Sequence, residues 1–442
     1  MSPHNTIPFK KIAAHPVFWM VCLSGLLRLV LALYQPPNPE LWADAGTYHA
    51  LADNMISGHG FSVDGQQPSR VRTPGYPAFI AVIYFFFGSS PKIAVVVQAL
   101  ICSLSVYVVY RLGQIVLDHR GAILSALLVS VHPALLYYDT RLLREGPTGL
   151  LLLLIALLAF RFSGRATKWH LLLIGSLLSA VSMIRPETLL MGLPAAYILF
   201  RPHFHVRQLW RPVLLVALPI LLVWLPWTAR NYTLFGSLSP ITAGIGSTMW
   251  FGNQWIAIGG EDRKDADHAK LQEKTSRILN ENITSGNEAN VENTFSNMVL
   301  TDIMQRPGWF VAMIGKKMVL FWKDANGVKK TLPRIHPLLA DVVNIYYYTL
   351  LGMMVFAIVR YRKNQNIQAL TLWVFTYMMI YALLHVRNRY RVPVMPIVLL
   401  LSSGGICILW DVAKARFQKT QPAPQPVCVS APQKNTQEPV VL

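Results

Sequence analysis

Apolar runs follow one another along most of this chain, each closed by a short polar or charged segment. Runs over 17–34, 93–110, 122–137, 148–160, 171–184, 189–200, 213–228, 338–359, 369–384 and 392–410 read as membrane spans, because a helix of about 20 apolar residues crosses ~30 Å of hydrocarbon. Two further apolar stretches fit the membrane surface better. Residues 78–87 are too short to span, and 309–322 carries Lys316 and Lys317 at mid-run between terminal tryptophans, the pattern of an interfacial amphipathic helix. Between them lies the largest polar portion, 231–306, whose mixed charges suit short solvated helices. From Gln421 onward the chain is rich in Pro, Gln and Ser and is expected to be disordered.

The expectation is an all-α polytopic membrane protein of about ten transmembrane helices, with interfacial helices on the outer side. It divides into a transmembrane module over 1–230 with a first outer loop at 35–91, an outer loop with its interfacial helix over 231–337, C-terminal spans over 338–411 and a cytoplasmic tail over 412–442.

Composition agrees: 53% of the residues are hydrophobic, 14% are charged and the mean hydropathy is +0.39. The net charge of +19 is spread between the apolar runs and builds no basic face in a soluble domain, which argues against nucleic-acid binding. Four widely spaced cysteines suggest neither a disulfide framework nor a metal cluster. Lys10 and Lys11 place the N-terminus in the cytoplasm by the positive-inside rule. From Arg111 onward every short loop then assigned inside ends in Lys or Arg, which supports the same parity. Arg28, inside the first run, either snorkels to the surface or lines a polar cavity.

That map leaves arginines on the wrong side. Arg70, Arg72, Arg141, Arg144, Arg185, Arg230, Arg387, Arg389 and Arg391 fall at outer ends of spans, level with Asp44, Glu145 and Glu187. A guanidinium recognises phosphate with two parallel hydrogen bonds and keeps its charge, so a phosphorylated lipid substrate accounts for the set. Outer-leaflet headgroups or internal ion pairs account for any one member. The stretch 41–77 concentrates this chemistry, with Asp44, Asp53 and Asp64 beside Arg70 and Arg72, and a rigid Thr73-Pro74-Gly75-Tyr76-Pro77 exit. Asp44 is the candidate base, although an Asp near a helix start also serves as a cap. Glu145 is either a second acid or an ion-pair partner. Two carboxylates reaching one cavity from different loops are what base-assisted group transfer needs. No glycine-rich phosphate loop, HExxH, GxSxG or CxxC motif is present, so a donor would arrive through the membrane.

Several short motifs resemble the GT-C superfamily of polytopic glycosyltransferases, in the branch of protein O-mannosyltransferases and lipid A aminoarabinose transferases. They are Ala43-Asp44-Ala45-Gly46-Thr47-Tyr48, Gly58-His59-Gly60-Phe61, Arg72-Thr73-Pro74-Gly75-Tyr76-Pro77, Arg144-Glu145 and Arg185-Pro186-Glu187. Farther on come Pro226-Trp227-Thr228-Ala229-Arg230-Asn231-Tyr232, Trp250-Phe251-Gly252-Asn253 and Arg389-Tyr390-Arg391-Val392-Pro393-Val394-Met395-Pro396. The resemblance implies a bacterial inner-membrane enzyme facing the periplasm. A sugar would pass, with inversion, from a polyprenyl-phosphate donor to a lipid, glycan or protein acceptor. Asp44 and Glu145 would be catalytic, and Arg389, Arg391, Arg72 and Arg387 would hold the donor phosphate. Tyr48, Arg70, Tyr76, Arg144, Arg185, Glu187, Arg230 and Asn253 would line the cavity. Many relatives carry a second acid beside the first, where this chain has Ala45. No metal ligand is therefore assigned, and a divalent ion is left open. A flippase or exporter of a lipid-linked sugar would also want outer arginines; a transporter should instead carry polar groups through the midplane.

Overall fold

The computed structural model describes residues 15–34, 43–70, 72–201, 210–236, 245–253, 273, 275–277, 288–323 and 337–420. Helices build it, together with one isolated antiparallel bridge between Ser62 and Pro68. Of the predicted tail over 412–442, residues 412–420 instead continue the last helix, and the part from Gln421, most of 237–287 within the polar 231–306 portion, and Lys10 and Lys11 lie outside the described residues.

The first module begins with α1 (Pro16–Tyr34), α2 (Ala43–Ile56) and α3 (Gly75–Phe87). Next come α4 (Pro91–Ser103) and α5 (Ser105–Val116), then α6 (His119–Val131) and α7 (Pro133–Asp139). The module continues with α8 (Glu145–Arg161), α9 (Lys168–Ile184), a 3-10 turn Pro186–Met191, α10 (Gly192–Phe200) and α11 (Trp210–Phe235). After it come α12 (Ile245–Asn253), α13 (Glu288–Gln305), α14 (Pro307–Trp322), α15 (Pro337–Arg360) and α16 (Gln365–Leu383). A second 3-10 turn, Asn388–Val394, leads into α17 (Met395–Thr420).

Among the described residues, six helices are long and apolar enough to cross a membrane, and the α6–α7 pair makes a seventh if its two parts form one span. This is a multi-pass membrane protein. The α6–α7 pair bends by 51° where Pro133 lacks the N–H that would continue the helix. Three predicted spans fall short of that length: α8 and α9 with 17 residues each and α10 with nine. At 1.5 Å per residue the first two reach about 25 Å. Most of α8 is buried from Glu145 to Phe160, so its surroundings are other helices rather than lipid.

Two details differ from the sequence reading. Arg28 does not snorkel: it is fully buried and ion-pairs Asp139 at 2.9 Å, with Ser24 as a second acceptor. Arg230 does not follow its helix but lies inside the last turns of α11. The mid-run lysines of α14 also part company, Lys316 exposed and Lys317 buried.

The loops sort to two ends of the bundle. At one end Arg120 pairs with both carboxylate oxygens of Asp411, Arg201 donates to the Gln365 carbonyl, and Asn366 donates to that of Ile115. At the other end the first outer loop, the α7–α8 connection, the 185–187 turn and the 385–391 segment meet. The candidate site is built there.

Candidate functional site

Three helix junctions bring the charged side chains together. The first is the start of α2, where Ala45, Tyr48 and Ala52 form a buried stripe at helical spacing. Burying that stripe turns Asp44, in the first turn, toward the rest of the site. Tyr48 packs edge-on against Tyr76 of α3, and His49 meets the Tyr84 hydroxyl at 2.9 Å. The second junction is the start of α8. A side chain at Gly146 would lie 2.4 Å from Asp139 Oδ1, so only glycine lets α8 approach α7 closely enough to set Glu145 in place. The third is the C-terminal end of α9. There the Ile184 carbonyl accepts from Thr73 Oγ1 at 2.7 Å and from Arg144 at 3.0 Å, joining two loops at one oxygen.

These junctions support a continuous chain of alternating charge. Asp44 receives Arg72 on Oδ1 and Arg389 on Oδ2, each at 2.5 Å. Arg389 lies 3.5 Å from Glu145 Oε1, which also pairs with Arg185 at 2.8 Å. Arg185 continues to Glu187 at 3.5 Å and donates to the Tyr381 hydroxyl, which in turn donates to Glu187. The inner half, Glu145 and Arg185, is about 1% exposed; Asp44, at 22%, opens to solvent. Burial alone would raise the Asp44 carboxyl. The Arg389 and Arg72 guanidiniums, with Arg144 beyond them, more than offset that and hold it well below the usual carboxylate range. Arg72 also sits over the Tyr48 ring, and Arg185 over Tyr390.

Not every candidate joins this chain. Arg391 turns to the opposite side, donating to the carbonyls of Phe321 and Lys323 and bordering a small cavity with His132 and Tyr346. Arg387 donates to the His385 ring at 3.3 Å. Tyr76 is fully buried and donates to Gln98, whose amide donates to the carbonyls of Asp139 and Arg141. Arg70 lies over the Phe235 ring, while Arg230 donates to the carbonyls of Phe61 and Ser69 and packs over Trp227. Together they tie the first outer loop to α11. Of the other carboxylates in that loop, Asp64 caps a turn through the Gln66 and Gln67 amides. Asn253 donates to the carbonyls of Leu383 and Leu384 and accepts from Lys317.

That last contact fixes the segment carrying the site arginines. Lys317 also donates to Leu384, so Lys317 and Arg391 hold the 384–391 segment to α14 at two places. A side chain at Gly252 would lie 2.0 Å from the Leu384 oxygen, so α12 can dock here only as glycine. Burial lowers Lys317 to about 7, and burial together with the nearby Lys317 charge lowers His385 to about 4.

The sequence model of the dolichyl-phosphate-mannose-protein mannosyltransferase family matches residues 71–227. No curated protein matches the chain significantly. Among solved structures, it is similar to the oligosaccharyltransferase AglB of Archaeoglobus fulgidus in complex with an inhibitory peptide and a dolichol-phosphate. That match has TM-score 0.52 and 14% identity over 94% of this chain and 53% of the other. An Archaeoglobus fulgidus oligosaccharyltransferase tethered with an acceptor peptide gives TM-score 0.53 and 15% identity over 92% and 51%. The chain has the GT-C fold. It spans about half the length of the archaeal enzymes it matches. ArnT of Cupriavidus metallidurans, bound to undecaprenyl phosphate, matches at TM-score 0.45 and 13% identity over 92% and 81%.

Within this GT-C fold the acidic residues do not suit a divalent ion. Arg389 stands between Asp44 and Glu145, and both Asp44 oxygens are already paired with guanidiniums. Among the described residues no three His, Cys, Asp or Glu side chains converge on a common point. Sequence reasoning missed Tyr381, Gln98 and Lys317 as members or supports of the site. Gln98 is the one amide in the 93–110 apolar run, and Tyr377 and Tyr381 recur at i,i+4 before the arginine segment; both signals were readable.

Proposed function

We propose that this protein is a membrane glycosyltransferase. It moves a sugar from a polyprenyl-phosphate-linked donor to an acceptor hydroxyl of a lipid, glycan or protein, with inversion, at the periplasmic face of a bacterial inner membrane. One observation carries the reading: in a GT-C fold, Asp44 lies between Arg72 and Arg389, and Arg389 reaches on to Glu145. Asp44 takes the acceptor proton as the acceptor oxygen bonds to the anomeric carbon. The bond from that carbon to the phosphate oxygen breaks, and its electron pair leaves with the lipid phosphate. Arg389 and Arg72 stabilise the charge that grows there.

In the resting arrangement Asp44 is ionised but a weak base, because two guanidiniums occupy it. A donor phosphate competes for the same guanidiniums and so raises the basicity of Asp44 as it binds. Glu145 keeps Arg389 turned toward Asp44. Arg391, Tyr76, Arg230 and Asn253 act by holding the surrounding segments in place.

The test is a deletion strain whose surface glycans, lipid A and lipid-linked sugars are compared with the parent by mass spectrometry. Loss of a glycan increment with accumulation of its donor is expected. Complementation by the wild type should reverse it and complementation by Asp44→Asn should not. Full restoration by Asp44→Asn would end the assignment.

A further inference from the structure

At the end of the bundle opposite the candidate site, a cleft of about 370 Å³ opens between α5 and α8, lined by Arg111, Gln114, Arg161, Arg165 and the apolar side chains of Ile115, Leu157 and Phe160. Its size falls in the range of small-ligand pockets, roughly 300–1,000 Å³. Among the described residues no carboxylate pairs with any of the three arginines. Asp118 and Asp411, acids at this end among the described residues, are both taken by Arg120.

The donors are only partly used. Among the described residues, Arg111 gives one hydrogen bond, to the Tyr107 hydroxyl, Arg165 gives two to the Arg161 carbonyl, and the Arg161 side chain gives none. A guanidinium has five N–H donors in a fixed fork that matches phosphate oxygens. Below them, Phe160 is buried, with Arg201 stacked 5.5 Å from its ring centre. Arg201 is itself fastened to Gln365 and Asn366, so the apolar wall is rigid. Three like charges around one cleft at the edge of the hydrocarbon repel one another until an anion sits between them. An apolar wall beneath a ring of arginines suits an anion that carries alkyl chains.

We propose that this cleft binds the phosphodiester headgroup of an anionic phospholipid from the adjacent leaflet, with Arg111, Arg161 and Arg165 on the phosphate and Ile115, Leu157 and Phe160 against the upper acyl chain. The site is independent of the sugar-transfer reading, since it shares no residue with that cluster. Basic pockets between transmembrane helices on the cytoplasmic side take such headgroups.

The experiment uses the purified full chain in neutral detergent, titrated with phosphatidylglycerol, phosphatidylcholine or inorganic phosphate. Retained lipid is counted by native mass spectrometry and stability is followed by thermal unfolding. The variant is Arg161→Gln/Arg165→Gln; the control, Arg362→Gln/Lys363→Gln, removes the same charge at the same end from residues that do not line the cleft. Phosphatidylglycerol should be retained and raise Tm in the wild type and control. The cleft variant should bind it roughly tenfold more weakly than the control, the loss expected from about one charge-assisted contact. Equal binding by the two double variants would overturn the proposal, as would equal stabilisation by phosphatidylcholine. A shift by inorganic phosphate matching that of the lipid would also overturn it, because the site would then take a free anion.

Discussion

Asp44 is held by Arg72 and Arg389 far below the ordinary carboxylate range, and that restraint makes a kinetic prediction. The pH dependence of kcat/KM reports the free enzyme, and that of kcat reports the substrate complex. If the donor phosphate draws the guanidiniums away, the acid limb of kcat lies at higher pH than that of kcat/KM. Activity is lost as pH falls through each, because the base must be ionised. Coincident limbs would mean that the donor leaves Asp44 paired. A second residue-scale prediction concerns the buried pair. Removing one partner of Glu145–Arg185 leaves the other buried with one weaker partner, Arg389 or Glu187, each at 3.5 Å, so Arg185→Gln should cost roughly 3 kcal/mol, the low end for a broken buried pair. Glu145→Gln/Arg185→Gln should cost clearly less than the two single variants summed, measured by denaturation of the detergent-solubilised protein.

At the scale of elements, the clasp between α12, α14 and the 384–391 segment sets where Arg389 points. Gly252→Ala should push α12 off the Leu384 carbonyl and lower transfer more than it lowers Tm; an unchanged rate would show that α12 does not govern the segment. Lys317 adds a pH test. Its folded value of about 7 lies below the ordinary lysine value of 10.5, so between those values the unfolded chain holds a proton that the folded chain has released. Stability from this group is therefore full above 10.5, declines as pH falls toward 7, and is flat below. The wild-type Tm should rise more steeply than that of Lys317→Met between pH 7 and 10. Equal slopes would place Lys317 in water. Periodicity made the helices legible, since apolar runs mark where the chain must meet lipid or helix. It could not reveal the clasp, because Gly252, Lys317 and Leu384 are far apart in sequence and share no pattern. Nor could it separate Arg389 from Arg391, two residues apart with opposite partners, since both lie in the one 3-10 turn whose Pro393 packs closely against Gly149 of α8. Asp44 and the Arg144–Glu145 pair stood out because charge at a span end is costly and needs an explanation.

For the whole molecule, the functional reading depends on the two ends of the bundle facing different compartments. Contacts at each end join loops distant in sequence: Asp44 to Arg389 and Glu145 to Arg185 at one, Arg120 to Asp411 and Arg201 to Gln365 at the other. The arrangement can therefore be tested with one probe at each end. His59, in the first outer loop, and Lys363, in the turn before α16, are both exposed. In a background with Cys22, Cys102, Cys407 and Cys428 replaced by Ser, single His59→Cys and Lys363→Cys chains are treated with a membrane-impermeant maleimide. Spheroplasts should label His59→Cys alone, and inverted vesicles Lys363→Cys alone. Lys363→Cys labelling in spheroplasts would turn the arginine cleft toward the periplasm. His59→Cys labelling only in inverted vesicles would place Asp44 in the cytosol, where a donor phosphate reaching Arg389 would have to come from the inner leaflet.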